Sequence, residues 1–95
     1  MTRVQWTLQA VGDLEAIRDF IALDSPSRAH RFVERALNAV ERIPDHPFAG
    51  RRIPEIRDES IREVFLGSYR VVYRVGVEEV VVLTVVHAAR RFPRL

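Results

Sequence analysis

Apolar and polar positions follow two periods along the chain. Val4-Gln5-Trp6 reads apolar, polar, apolar, which predicts a short opening strand. Ala10, Leu14, Ile17 and Ile21 then recur at helical spacing, with Val11 and Phe20 beside them, and Thr7 stands where an N-cap belongs. Gln9, Asp13, Glu15, Arg18 and Asp19 fill the polar side of that helix. Asp24-Ser25-Pro26 marks a stop and a restart, because serine caps well and proline suits the first helical position. The second helix carries Ala29, Phe32, Val33, Ala36, Leu37, Val40 and Ile43 on one side, and Pro44 ends it. Two amphipathic helices joined by so short a turn should pack as an antiparallel hairpin.

Residues 44–60 hold three prolines and a glycine and read as an irregular loop. Three strands follow, Ile61–Leu66, Tyr69–Val75 and Glu79–Val86, joined through Gly67-Ser68 and Gly76-Val77-Glu78. Connections this short leave no room for crossover helices, so the strands form an antiparallel meander. The layout is α+β, in the order β-α-α-β-β-β, with the helical hairpin over one face of an antiparallel sheet. Alternation within YRVVYRV (69–75) turns Tyr69, Val71, Tyr73 and Val75 toward the helices. Arg70, Val72 and Arg74 then lie on the face the helices leave uncovered.

Composition narrows the functions available. Residues 1–95 suit a single domain with one modest core. Without cysteine there is no disulfide, thiolate metal site or cysteine nucleophile, and no metal or other cofactor is expected. No apolar run reaches the roughly 18 residues of a membrane span, and the N-terminus lacks a signal-peptide core, so a soluble cytoplasmic protein is expected. All fifteen basic residues are arginine, a bias that GC-rich coding explains in large part. Their placement says more. Residues 1–50 carry six arginines against seven acids, whereas residues 51–95 carry nine against six, which suggests an anionic partner.

The ordered set of motifs resembles the ParE/RelE superfamily, the toxins of type II toxin–antitoxin modules. Its carriers are Trp6, Ala10, Asp13 and Leu14; Ser25-Pro26 with Ala29; Pro47, Gly50 and Arg51; Pro54-Glu55; Ile61-Arg62-Glu63; Tyr69–Val75; and His87 with Arg90 or Arg91. The resemblance spans nearly the whole chain and is closer to ParE. It implies a helical hairpin on a curved antiparallel sheet. RelE-like members cleave mRNA on the ribosome, whereas ParE-like members poison DNA gyrase without nuclease chemistry.

Metal-free RNA cleavage needs a base, a cation to hold the phosphorane, and an acid. The resemblance gives a nuclease Arg70 as phosphate holder, Arg62 as a second basic group, His87 for proton transfer, and Glu63. Against that reading, Phe92 stands where many relatives place a tail tyrosine, Ala88-Ala89 where they carry basic residues, and lysine is absent. The favoured expectation is therefore a ParE-like gyrase inhibitor neutralised by a ParD-like antitoxin with an acidic C-terminal segment. Ribosome-dependent mRNA cleavage is the alternative, and a non-toxic antitoxin-binding relative the third. Arg70, Arg74, Arg90, Arg91 and Arg94 are the expected target contacts, and Arg51, Arg52, Arg62 and Val72 the expected antitoxin contacts. An ordinary account stands beside these: Arg70 and Arg74 balanced by carboxylates on neighbouring strands such as Glu63, and His87 capping a strand end.

Overall fold

The computed structural model describes residues 2–90. β1 (Arg3–Trp6) leads into α1 (Leu8–Ala22), and α2 (Pro26–Arg42) follows after a three-residue turn. Two single-turn 3-10 segments, Ile43–Asp45 and Pro47–Ala49, precede β2 (Arg51–Arg52). β3 (Ile61–Leu66), β4 (Tyr69–Val75) and β5 (Glu79–His87) then form the meander. Both caps act as expected. The Thr7 hydroxyl accepts from the Ala10 amide at 3.0 Å, and the Ser25 hydroxyl from the Arg28 amide at 3.2 Å, with Pro26 in the first turn. Gly67 takes φ +60° in the two-residue β3–β4 turn, where a side chain would be strained.

The sheet is mixed, not wholly antiparallel. Its order is β1-β5-β4-β3-β2, and β1 runs parallel to β5 with Arg3 opposite Glu79 and Trp6 opposite Val82. Short turns dictate direction only between consecutive strands. The helical hairpin separates β1 from the meander, so no turn constrains it. β2 is an addition within the segment read as loop, pairing Arg51 with Glu63 and Arg52 with Arg62 at the sheet edge.

The main core lies between helices and sheet, with Ala10 and Val40 packed against Val71, Tyr73, Val80, Val82 and Val85. Phe32, Ala36 and Leu66 close one end of it beside Tyr69. Val11, Phe20 and Leu37, grouped with the apolar stripes by periodicity, are exposed at the stripes' edges.

The far face of the sheet is not left open at its centre. Ile53, Ile61 and Val72 form a separate buried cluster there, with Ile56 and Leu83 packed against it. The proline-rich segment folds back over this face, so Val72 retains 2% of its exposure. Two isoleucines in a segment dominated by prolines supply the apolar surface that holds it down.

Asp13 departs from the polar helix face assigned to it. β4 and β5 shift register at Val72/Tyr73, and Leu83 is the extra residue. Just there β1 has ended, leaving the edge of β5 without a neighbouring strand. The half-buried Asp13 carboxylate fills the gap, accepting the Thr84 hydroxyl and the Val85 amide, the latter at 3.1 Å. Asp13→Ala strands both donors and should cost about 1–3 kcal/mol, read as a lower denaturant midpoint at unchanged slope.

Candidate interaction face of the sheet

β3 turns Ile61, Glu63 and Phe65 to the far face, and β4 turns Arg70, Val72 and Arg74 the same way. Glu63 is 1% exposed and lies between two guanidiniums. Arg70 Nη1 donates to its Oε1 at 2.9 Å, and Arg51 Nε lies 3.3 Å from Oε2. Arg70 is 6% exposed, and its Nη2 donates to the Arg90 carbonyl, which draws the chain beyond β5 across the strand ends. The arginine expected on an open surface is thus a buried member of an Arg51–Glu63–Arg70 triad. The pairing with Glu63 follows the ordinary account given above.

Arg51 carries the triad to the surface. Its guanidinium sits 5.6 Å from the centre of the Phe65 ring, and Phe65 is 51% exposed. Phe65 escaped the sequence reading, although alternation along β3 places it on the same side as Glu63. Arg52 lies beside β3 on the edge strand, 3.5 Å from the Glu59 carboxylate. Arg74 is exposed near Asp58. The hydroxyl and then the amide of Ser60 hold the Asp58 carboxyl below the usual carboxylate range, with the Arg74 charge a lesser contribution.

Arg62 points to the opposite side and works as a clamp. It donates to the carbonyls of Glu59, Phe48 and Gly50 at 2.8, 3.0 and 3.2 Å and lies over the Phe48 ring. The Tyr73 phenol donates to the Pro47 carbonyl at 2.6 Å in the same corner. A Cβ on Gly50 would collide with that phenol, with Cζ only 2.9 Å away. Pro47, Gly50 and Arg62 therefore fasten the irregular segment to the sheet.

His87 also faces the helix side, edge-on to Tyr69 at 5.5 Å, and its Nδ1 accepts the Ala89 amide at 3.1 Å. Of the four residues a nuclease would use, the fold brings only Glu63 and Arg70 together. Arg62 and His87 lie across the sheet and at opposite ends of β4, opposite Tyr73 and Tyr69 respectively. Among the described residues no cluster of potential metal ligands occurs, and no helix is long and apolar enough to cross a membrane. Arg91 and Arg94, two of the expected target contacts, lie outside the described residues, as does Phe92.

Known proteins share this architecture. The chain is 36% identical over 95 residues to "Putative toxin Y4kP" of Sinorhizobium fredii, covering 98% of this chain and 95% of that one. It is 35% identical over 91 residues to "Toxin RelE2" of Caulobacter vibrioides, covering 95% and 99%. A solved structure described as the chromosomal ParDE toxin–antitoxin system of P. aeruginosa superimposes with a TM-score of 0.75 at 24% identity, covering 92% and 96%. The model of the ParE toxin of type II toxin–antitoxin system, parDE, matches residues 4–92. By that match, and by the toxin-like fold built from these residues, the chain belongs to the ParE toxin family of type II toxin–antitoxin systems.

Proposed function

We propose that this ParE-family toxin inhibits DNA gyrase and is neutralised by direct binding of its antitoxin. The observation that carries the target assignment is the dispersal of the nuclease candidates. Arg70 is committed to Glu63 and the Arg90 carbonyl, Arg62 to three loop carbonyls, and His87 faces away from both Glu63 and Arg70. Phosphoryl transfer needs its acid, base and phosphate-holding cation around one reacting group. A toxin that acts by occupying a surface has no such requirement.

The antitoxin surface is the edge formed by β2. Arg51 and Arg52 are exposed there beside Phe65, and a two-residue edge strand leaves backbone groups for a partner strand. Two guanidiniums and an exposed ring favour an acidic segment with an apolar anchor. Val72 enters such a contact only if Ile53 and Ile56 are displaced from it. Arg74 and Arg90, exposed away from β2, are offered to the target.

The Caulobacter relative named Toxin RelE2 favours the second reading, mRNA cleavage on the ribosome. Supercoiling by purified gyrase and primer extension on translated mRNA, each with the antitoxin-free chain, separate the two. Loss of supercoiling with intact mRNA is expected. Codon-associated cuts with unaffected gyrase would replace this reading by the second.

A further inference from the structure

We infer that the helix side of the fold carries a DNA phosphate-binding groove, separate from the Arg51–Glu63–Arg70 triad. The groove runs between α2, the β3–β4 turn and the end of β5. Arg28, Arg31 and Arg35 line it from α2, Ser68 and His87 from the sheet side, and Phe20 from α1. The three arginines are exposed and form no ion pair with any described residue, unlike Arg18, Arg51, Arg52 and Arg70. No carboxylate is among the lining residues, and Glu34 on α2 is turned to His30 at 3.1 Å. The Ala89 amide occupies His87 Nδ1, so Nε2 is the nitrogen offered to the groove.

This chemistry suits phosphodiesters. Guanidinium forks match phosphate oxygens, and the serine hydroxyl and the imidazole supply further donors. The seven steps from Arg28 to Arg35 set the three guanidiniums along about 10.5 Å of helix, room for contacts to more than one phosphate of a duplex strand. An acidic protein segment fits less well, because it needs a socket for apolar anchors. Phe32 and Leu66 are already consumed by core packing, and Ile21 and Tyr69 beside them are half-buried against it. Phe20, 68% exposed, instead offers an open ring at the groove mouth.

The test uses the full chain and a fluorescein-labelled 20-base-pair duplex, with anisotropy read across a salt series. The isolated toxin is titrated without gyrase, so the outcome is independent of the target assignment above. The variant replaces Arg28, Arg31 and Arg35 by Gln. A charge-matched control replaces the exposed Arg3, Arg42 and Arg57. Neutralising three phosphate contacts should lower the slope of log K against log salt by about 2–3 and weaken binding at least about tenfold at 0.1 M salt. The control should lose less than about threefold. Equal loss in both variants would make the binding a net-charge effect and overturn the groove, as would no binding by the parent. Binding of a labelled polyglutamate peptide that is tighter than the duplex and depends on the same arginines would give the groove to an acidic protein instead.

Discussion

Glu63→Ala should cost about 3–5 kcal/mol, because it removes the carboxylate that two guanidiniums share at a site closed to water. A domain of this size has about 5–15 kcal/mol in total, and each kcal/mol moves Tm by about 4–8 °C, so the melting point should fall by more than about 12 °C. The two arginines differ in what they lose. Arg51 is well exposed and regains water, whereas Arg70 is held at the sheet with its charge no longer answered by Glu63. Arg70→Ala should destabilise for the reciprocal reason, leaving Glu63 with the longer contact to Arg51 alone. A melting temperature unchanged in either variant would sink this account.

The triad changes how a loss of toxicity in Arg70→Ala is read, since a destabilised toxin and one stripped of a contact both fail to inhibit growth. Glu63→Leu combined with Arg70→Met removes both charges and keeps volume, and such exchanges of buried pairs are often neutral or stabilising by about 1–4 kcal/mol. That double variant should melt at or above the parent's temperature. Growth inhibition retained by it assigns Arg70 to the scaffold. Growth inhibition lost at full stability assigns it to recognition.

How far the sequence reaches is clearest along β4. Alternation placed Tyr69, Val71 and Tyr73 beneath the helices and Arg70 and Val72 opposite, as the structure has them. Which face would stay open was beyond it. That depends on Ile53 and Ile56, two residues without periodicity in a segment whose prolines dominate any local reading. The direction of β1 was hidden because its neighbour β5 starts 73 positions after Trp6, so the pairing of Arg3 with Glu79 is set by tertiary packing alone. Asp13 belongs to the same class. It sits where a helical period predicts solvent and accepts from Gln9 on its own helix. The end of β1 beside a bulged β5 also gives its carboxylate the Thr84 hydroxyl and the Val85 amide. Arg62 and His87 looked like chemistry because residue type was legible and facing across the sheet was not.

Tyr73→Ala should cost about 3–5 kcal/mol, the usual range for emptying a large aromatic site in a packed core. Tyr73 is 1% exposed, its ring lies among Val71, Val80 and Val82, and its phenol holds Pro47. Burial pushes the Tyr73 phenol above its ordinary value, against smaller opposing effects from the Gly50 amide and the Arg62 charge. The folded state therefore holds the proton more tightly than the unfolded chain. Stability from this group is complete below about pH 10, where the unfolded phenol is still neutral, and is lost as pH rises through the folded value. Tyr73→Phe separates ring from hydroxyl. It should cost only about 1 kcal/mol at neutral pH, because the ring still fills the core and one hydrogen bond is lost. It should also flatten the alkaline decline seen in the parent. A parent and a Tyr73→Phe variant that lose stability in parallel above pH 10 would place that decline elsewhere and leave the phenol only its grip on Pro47.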